Sequence, residues 1–249
     1  MGKKGSKACK AIAENTGITR YRGNKRDPKT DLLVNYGLAG PKKDRFYQIY
    51  PSAKTIPTLN KNVGHSKFYA VKRAEKHGIR IPETRISLRK ADAPKKWLEK
   101  RIHSIGGKGI RRARGRLRIK GKYYQKNVTS RVYELRIHAF AWMDRWVVQK
   151  RLGQRDEIAW NFSNGGHFQT VHNPMSSKAC SEAVEISERI LKIFNMSFGA
   201  VDFIVDSKQR VYFIEINSAP GFSGLSDHIY FEAFNALKKM SKRKVLVMA

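Results

Sequence analysis

Asp202, Glu215 and Asn217 stand in two dense apolar runs, 201–206 (VDFIVD) and 211–217 (VYFIEIN), separated by the four residues 207–210. A turn of that length joins the runs as a hairpin and pairs 206 with 211, 204 with 213 and 202 with 215. Side chains alternate faces along a strand, so Asp202, Glu215 and Asn217 share one face. Val201, Phe203, Tyr212, Ile214 and Ile216 share the other. Facing carboxylates on such strands repel one another and lose hydration, so a positive charge must compensate them. A hard cation does this well: two carboxylates and an amide oxygen suit magnesium when phosphate oxygens complete its shell. The competing explanations are exposed strand-face acids, or acids satisfied by lysines.

The surrounding elements follow from periodicity and punctuation. Residues 6–16 read as a helix closed by Gly17, and 31–37 as a short strand ending in a turn. A connection dotted with Pro and Lys runs through Pro57. Residues 66–77 read as an amphipathic helix capped by Ser66 and stopped by Gly78. Then come extended chain over 79–89, a short helix over 93–99, a glycine loop at 105–110 (IGGKGI) and a basic run over 111–122. Strands follow at 123–126, 132–142 and 145–152. The clearest helix is 179–194, with positions 183, 184, 186, 190, 191 and 194 on one side. A last helix, 231–240, precedes the basic tail 242–244. Strands and helices mix throughout, which gives an α+β class with antiparallel sheets.

The order of these motifs resembles the ATP-grasp superfamily, in its glutamate-ligase-like branch. Asp202 with 213–222 (FIEINSAPGF) resembles that family's metal-binding signature, and 60–77 followed by 78–84 (GIRIPET) resembles its first helix and GI-x-x-P-x-T strand. Residues 105–110 are similar to its phosphate-covering loop. Residues 124–128 lie where its hinge runs along adenine, and 134–136 and 161–166 resemble strands of glutamate-ligase-type members. Residues 6–37 look like the abbreviated N-terminal domain of short ATP-grasp proteins common in tailed phages and bacteria.

The resemblance implies an α+β, ATP-grasp fold: two α+β subdomains clasping ATP, preceded by an abbreviated α/β domain. The expected parts are 1–60, then 61–122 with the glycine loop, then 123–249 with the metal site. It further implies that Asp202, Glu215 and Asn217 hold Mg²⁺, with Mn²⁺ as a substitute. Gly106, Gly107 and Gly109 bring backbone N–H groups to phosphates, and Lys108 adds charge there. Lys100 or Arg101 meets the α/β-phosphates, the spacing from Gly106 favouring Lys100. Gln125, Lys126 and Val128 follow the adenine, although many relatives carry an acid where this chain has Lys126. Glu134 reaches the nucleotide. Arg136 and Arg151 are candidates for the γ-phosphate or a tetrahedral intermediate, Arg151 being preferred, with Asn217 beside them. His167, His172 and His228 are candidate bases, none of them selected.

The implied activity is ATP-dependent carboxylate–amine ligation through an acyl phosphate. The alternatives are a nucleic-acid-binding protein on a silent ATP-grasp scaffold and an ATP-grasp kinase. Composition bounds the setting. The 249 residues are 41% hydrophobic, enough to build a core, and no apolar run reaches the roughly 18 residues of a membrane helix. Cys9 and Cys180 make no disulfide framework and no zinc motif, so a reducing, cytoplasmic setting is expected. Lys and Arg number 51 against 20 Asp and Glu, and the imbalance is concentrated. Residues 1–130 hold 35 basic and 8 acidic side chains, a net +27, and the rest of the chain nets only +4. That half is expected to meet a polyanion such as nucleic acid or a ribonucleoprotein.

Overall fold

The computed structural model describes residues 6–20, 31–61, 66–103, 109–115, 117–153, 157–158, 160, 166–222, 226–241 and 245–248, the backbone alone at 241 and 245–248. The elements run α1 (Lys7–Thr16), β1 (Thr19–Arg20), β2 (Leu32–Asn35), α2 (Pro41–Ile49), β3 (Thr58–Leu59), α3 (Lys67–Lys76), β4 (Thr84–Arg85), β5 (Trp97–Arg101) and β6 (Arg111–Arg112). They continue with β7 (Lys122–Lys126), β8 (Arg131–Phe140), β9 (Val147–Leu152), β10 (His167–Thr170), α4 (Lys178–Phe194), β11 (Phe198–Asp206), β12 (Val211–Asn217), α5 (Ser226–Ser241) and β13 (Val245–Met248).

Three sheets organise the chain. The first is parallel, in the order β1-β13-β2-β3, and the second is antiparallel, β4-β7-β5-β6. The third is also antiparallel, β10-β9-β8-β11-β12. One face of the third sheet packs against α3 and α4 in the largest core, where Val71 and Ala74 meet Val201, Phe203, Val205, Val211 and Phe213. Its opposite face carries the polar side chains Glu134, Arg136 and Asp202, with Phe140 and Phe198 at one end. A second core joins α1, β2 and α5 around Phe198, Tyr230 and Phe234.

Caps place these helices as the sequence suggests. The Ser6 hydroxyl accepts from Cys9 N at 3.3 Å and Gly17 closes α1 in a left-handed conformation, φ 63°. Ser66 caps α3 by accepting from Tyr69 N at 3.1 Å. All six apolar positions expected on one side of α4 are buried.

Elsewhere the structure corrects the sequence reading. Residues 93–99 do not form a helix: Pro94–Lys96 make a single 3₁₀ turn and Trp97 starts β5. The connection before Pro57 contains α2, a helix of mostly polar residues that buries only Phe46. The last helix begins at Ser226, five residues earlier than expected, and the basic tail leads into β13. One sheet is parallel, so the sheets are not uniformly antiparallel. Strand β7, placed in the third part by the boundary at 122/123, pairs with β4 and β5 of the second. The hairpin keeps the pairing of Asp202 with Glu215, but a bulge follows. Beyond it Phe203 faces Phe213, Ile204 faces Tyr212 and Val205 faces Val211. The core side therefore holds Val211 and Phe213, and Ile214 turns into the cleft instead.

Candidate active site

A cleft of 870 Å³ lies between the second and third sheets. Strand alternation explains its walls. On β5, Leu98 and Lys100 point into it while Trp97 and Glu99 point away, and on β7 the inward residues are Tyr123 and Gln125. The third sheet contributes Glu134, Arg136, Arg151, Asp202 and Glu215, and the chain after β12 contributes Asn217 and 219–222. Six cationic side chains (Lys67, Lys100, Lys126, Arg131, Arg136, Arg151) face three carboxylates. The excess positive charge suits an anionic ligand.

The two paired carboxylates are already neutralised. Arg136 grips Asp202 in a fork, Nε to Oδ1 at 2.7 Å and Nη2 to Oδ2 at 2.8 Å, with Arg151 Nη2 3.8 Å from Oδ2. Burial would raise Asp202, but the Arg136 guanidinium outweighs it and holds the carboxyl below its usual range. Lys67, the first residue of α3, places Nζ 2.5 Å from Glu215 Oε2, and Asn217 Nδ2 donates to Glu215 Oε1 at 3.1 Å. Lysine satisfaction, one of the explanations weighed for these acids, thus accounts for Glu215 in this state.

Among the described residues no three His, Cys, Asp or Glu side chains converge as a metal cluster. A divalent cation would need Asn217 and ligand oxygens to complete its shell. The donor chemistry fits magnesium on those terms: two hard carboxylates opposite one another on adjacent strands, an amide two residues on, and an anion-seeking cleft in front of them.

Lys100 is 9% exposed, and its Nζ donates to the neutral Gln125 Oε1 at 2.5 Å. Burial pushes it down to about 8, with Glu215 pulling up and Lys67 pushing further down. Gln125 is anchored by donating from Nε2 to Thr84 Oγ1 at 3.1 Å. Lys126 and Val128 line the same cleft, and Lys126 N donates to Glu83 O at 2.8 Å, fixing the end of β7. Glu134 is held on both oxygens, by Arg131 at 2.8 Å and Arg151 at 2.7 Å. Burial raises its carboxyl, against the pull of Arg151 and Arg131. Arg151 stacks over Phe168, 4.6 Å to the ring centroid, and its buried Nε has no partner among the described residues.

The structure thus brings together Lys100, Gln125, Lys126, Val128, Glu134, Arg136, Arg151, Asp202, Glu215 and Asn217. Arg101 is exposed and packs beside Gly109, so Lys100 is the residue of that pair that faces the cleft. Gly109 itself has φ 80° and lies outside the cleft lining. Gly106, Gly107 and Lys108 lie outside the described residues, as do 161–165. Of the candidate bases only His167 lines the cleft.

Four cleft residues escaped sequence reasoning: Lys67, Arg131, Trp160 and Phe168. Arg131 joins Glu134 to the carbonyls of Glu157 (2.6 Å) and Ile158 (3.2 Å), and lies 3.8 Å over the Trp160 ring. In a chain with 51 basic residues nothing local distinguishes these two cations from surface charge. The aromatics sit in or beside a stretch without clear periodicity.

No family model matches the chain, and no curated protein does either. Solved structures do. The macrocyclase MdnC bound with precursor peptide MdnA from Microcystis aeruginosa MRC aligns with a TM-score of 0.59 at 14% identity, covering 95% of this chain and 97% of that one. The VanG D-Ala:D-Ser ligase from Enterococcus faecalis aligns at 0.57 and 16%, covering 85% and 74%. A RiPP-associated ATP-grasp ligase from Chryseobacterium gregarium, in complex with ADP and a leader and core peptide, aligns at 0.53 and 16%, covering 81% and 69%. The chain has the ATP-grasp fold.

Proposed function

We propose that the protein is an ATP- and magnesium-dependent ligase that joins a carboxylate to an amine through an acyl phosphate. The observation that carries this is the facing pair Asp202–Glu215 at the floor of a cleft lined by six cationic side chains. The division into parts 1–60, 61–122 and 123–249 belongs to the same proposal, with β7 counted in the second part and β13 in the first, where their pairing lies.

Lys100 supplies a buried positive charge for phosphate oxygens, and Gln125 aims it. Lys126 and Val128 border the base, Gly106, Gly107, Lys108 and Gly109 cover the phosphates, and Glu134 approaches the sugar. Mg²⁺ bound by Asp202, Glu215 and Asn217 would neutralise charge on the transferred phosphoryl group. The substrate carboxylate attacks the γ-phosphorus, the bond to ADP breaks, and an acyl phosphate forms. The amine then attacks the acyl carbon, phosphate leaves, and the amine loses a proton. Arg151 and Arg136 stabilise the anionic oxygens of both steps, and Arg151 Nε, without a partner among the described residues, is a donor available for them. The acceptor in this reading is macromolecular, and the +27 of residues 1–130 favours a polyanion as partner.

Calorimetric titration of ATP with Mg²⁺ tests the site. Micromolar binding that requires the metal and collapses in Glu215→Gln is the expected result. Metal-independent binding, unchanged in the variant, sinks the assignment. ADP release that needs both an acid and an amine then separates ligase from kinase.

A further inference from the structure

The second sheet and its connections carry the steepest charge in the chain: residues 84–126 contain 16 Lys and Arg against two acids, Asp92 and Glu99. Neither acid is free to balance a partner. Asp92 is bound by Arg85 at 2.5 Å, and Glu99, 2% exposed, is taken by Lys122 at 2.6 Å and Arg111 at 2.9 Å. Glu99 points away from the ATP cleft, so the Arg111 guanidinium is oriented on the outer side of the sheet. Beside it Lys95, Arg111 and Arg114, all exposed, line a depression of 510 Å³ that contains no carboxylate.

Three features narrow the ligand. The Trp and Tyr side chains of 84–126, Trp97, Tyr123 and Tyr124, are all buried, so none of these large rings is offered for stacking unpaired bases. The edge strand β6 has only two residues, which leaves little edge for a peptide strand to join. Arginine forks without apolar pockets suit phosphate oxygens.

We propose that this outer surface of the second sheet binds the phosphodiester backbone of double-helical nucleic acid, independently of sequence. The proposal rests on the polyanion part of the function above and not on the ligase part, because the β-sheet separates the depression from the cleft.

Fluorescence anisotropy with labelled mixed-sequence DNA and RNA duplexes of about 20 base pairs, titrated from about 50 to about 300 mM salt, tests it. Wild-type affinity is expected to fall steeply with salt. The double variant Lys95→Gln, Arg114→Gln should bind several-fold more weakly and lose about 2 from the log–log salt slope. Circular dichroism checks its fold, and its affinity for MgATP should match the wild type. The DNA and RNA arms identify which duplex is preferred. No duplex binding at low salt, an unchanged slope in the variant, or equal binding of polyglutamate would each overturn the proposal. Absence of ATP binding in the wild type would remove the ligase reading and leave the duplex result standing.

Discussion

At Lys100 the chain buries an ammonium group whose hydrogen-bond acceptor among the described residues is a neutral amide oxygen, an arrangement that makes sense when an anion arrives. With its free value near 8, the side chain is charged at neutral pH and loses its proton just above. Bound phosphate would raise that value, so ATP affinity is expected to fall up to about tenfold per pH unit above about pH 8. Lys100→Met should bind weakly and with no such pH dependence, as calorimetry at three pH values would show. Stability moves the other way. The unfolded chain binds more protons than the folded one between about 8 and about 10.4, so this group's contribution to stability rises through that window. The residues proposed for the metal call for different variants. Asp202→Asn would strand the buried Arg136 guanidinium, with a loss of about 3–5 kcal/mol expected in denaturant melts besides the loss of turnover. Glu215→Gln leaves Lys67 near solvent and should abolish turnover with the fold kept.

The loop after β12 owes its shape to an element far away in sequence. Tyr36, just after β2, donates its hydroxyl to Pro220 O at 2.7 Å, and Gly37, at φ 86°, lies against Ala219. A Cβ added at Gly37 would stand 2.5 Å from Ala219 Cβ. Gly37→Ala is expected to cost about 1–3 kcal/mol and displace the residues following Asn217, whereas Tyr36→Phe should cost about 1 kcal/mol. Chemical denaturation gives both values, and equal effects of the two would refute the steric account. The same elements show what the sequence could disclose. Asp202 and Glu215 were legible as partners because alternation and turn length act locally. The bulge after them was not, because one extra residue in β12 leaves no compositional mark. Trp97–Arg101 was misread because 93–99 contains helix-tolerant residues, and only the inward Leu98 and Lys100 against the outward Trp97 and Glu99 reveal a strand. Helix α2 buries a single residue, so its sequence has almost no apolar stripe to find. Lys67 needed Glu215 to be recognised, and that pairing is tertiary.

Across the whole molecule, the strands at the two ends of the chain share one sheet. β13 lies between β1 and β2, with Val245 opposite Leu32 and Met248 opposite Asn35. Removing 242–249 would take the middle strand from the parallel sheet and leave buried Leu32 and Val34 without their neighbour. Loss of a cooperative thermal transition is expected for that truncation; a melt within a few degrees of the intact protein would show that the strand is dispensable. No helix among the described residues is long and apolar enough to cross a membrane. The parallel order also carries a timetable. β2 leaves the ribosome about 200 residues ahead of β13, roughly 10 to 40 s at ordinary synthesis rates. Through that interval its apolar residues wait for a partner that has not been made. The loop that leans on Tyr36 and Gly37 follows β12, so the cleft takes its floor nearly as late, long after the β2 side of that contact has been made.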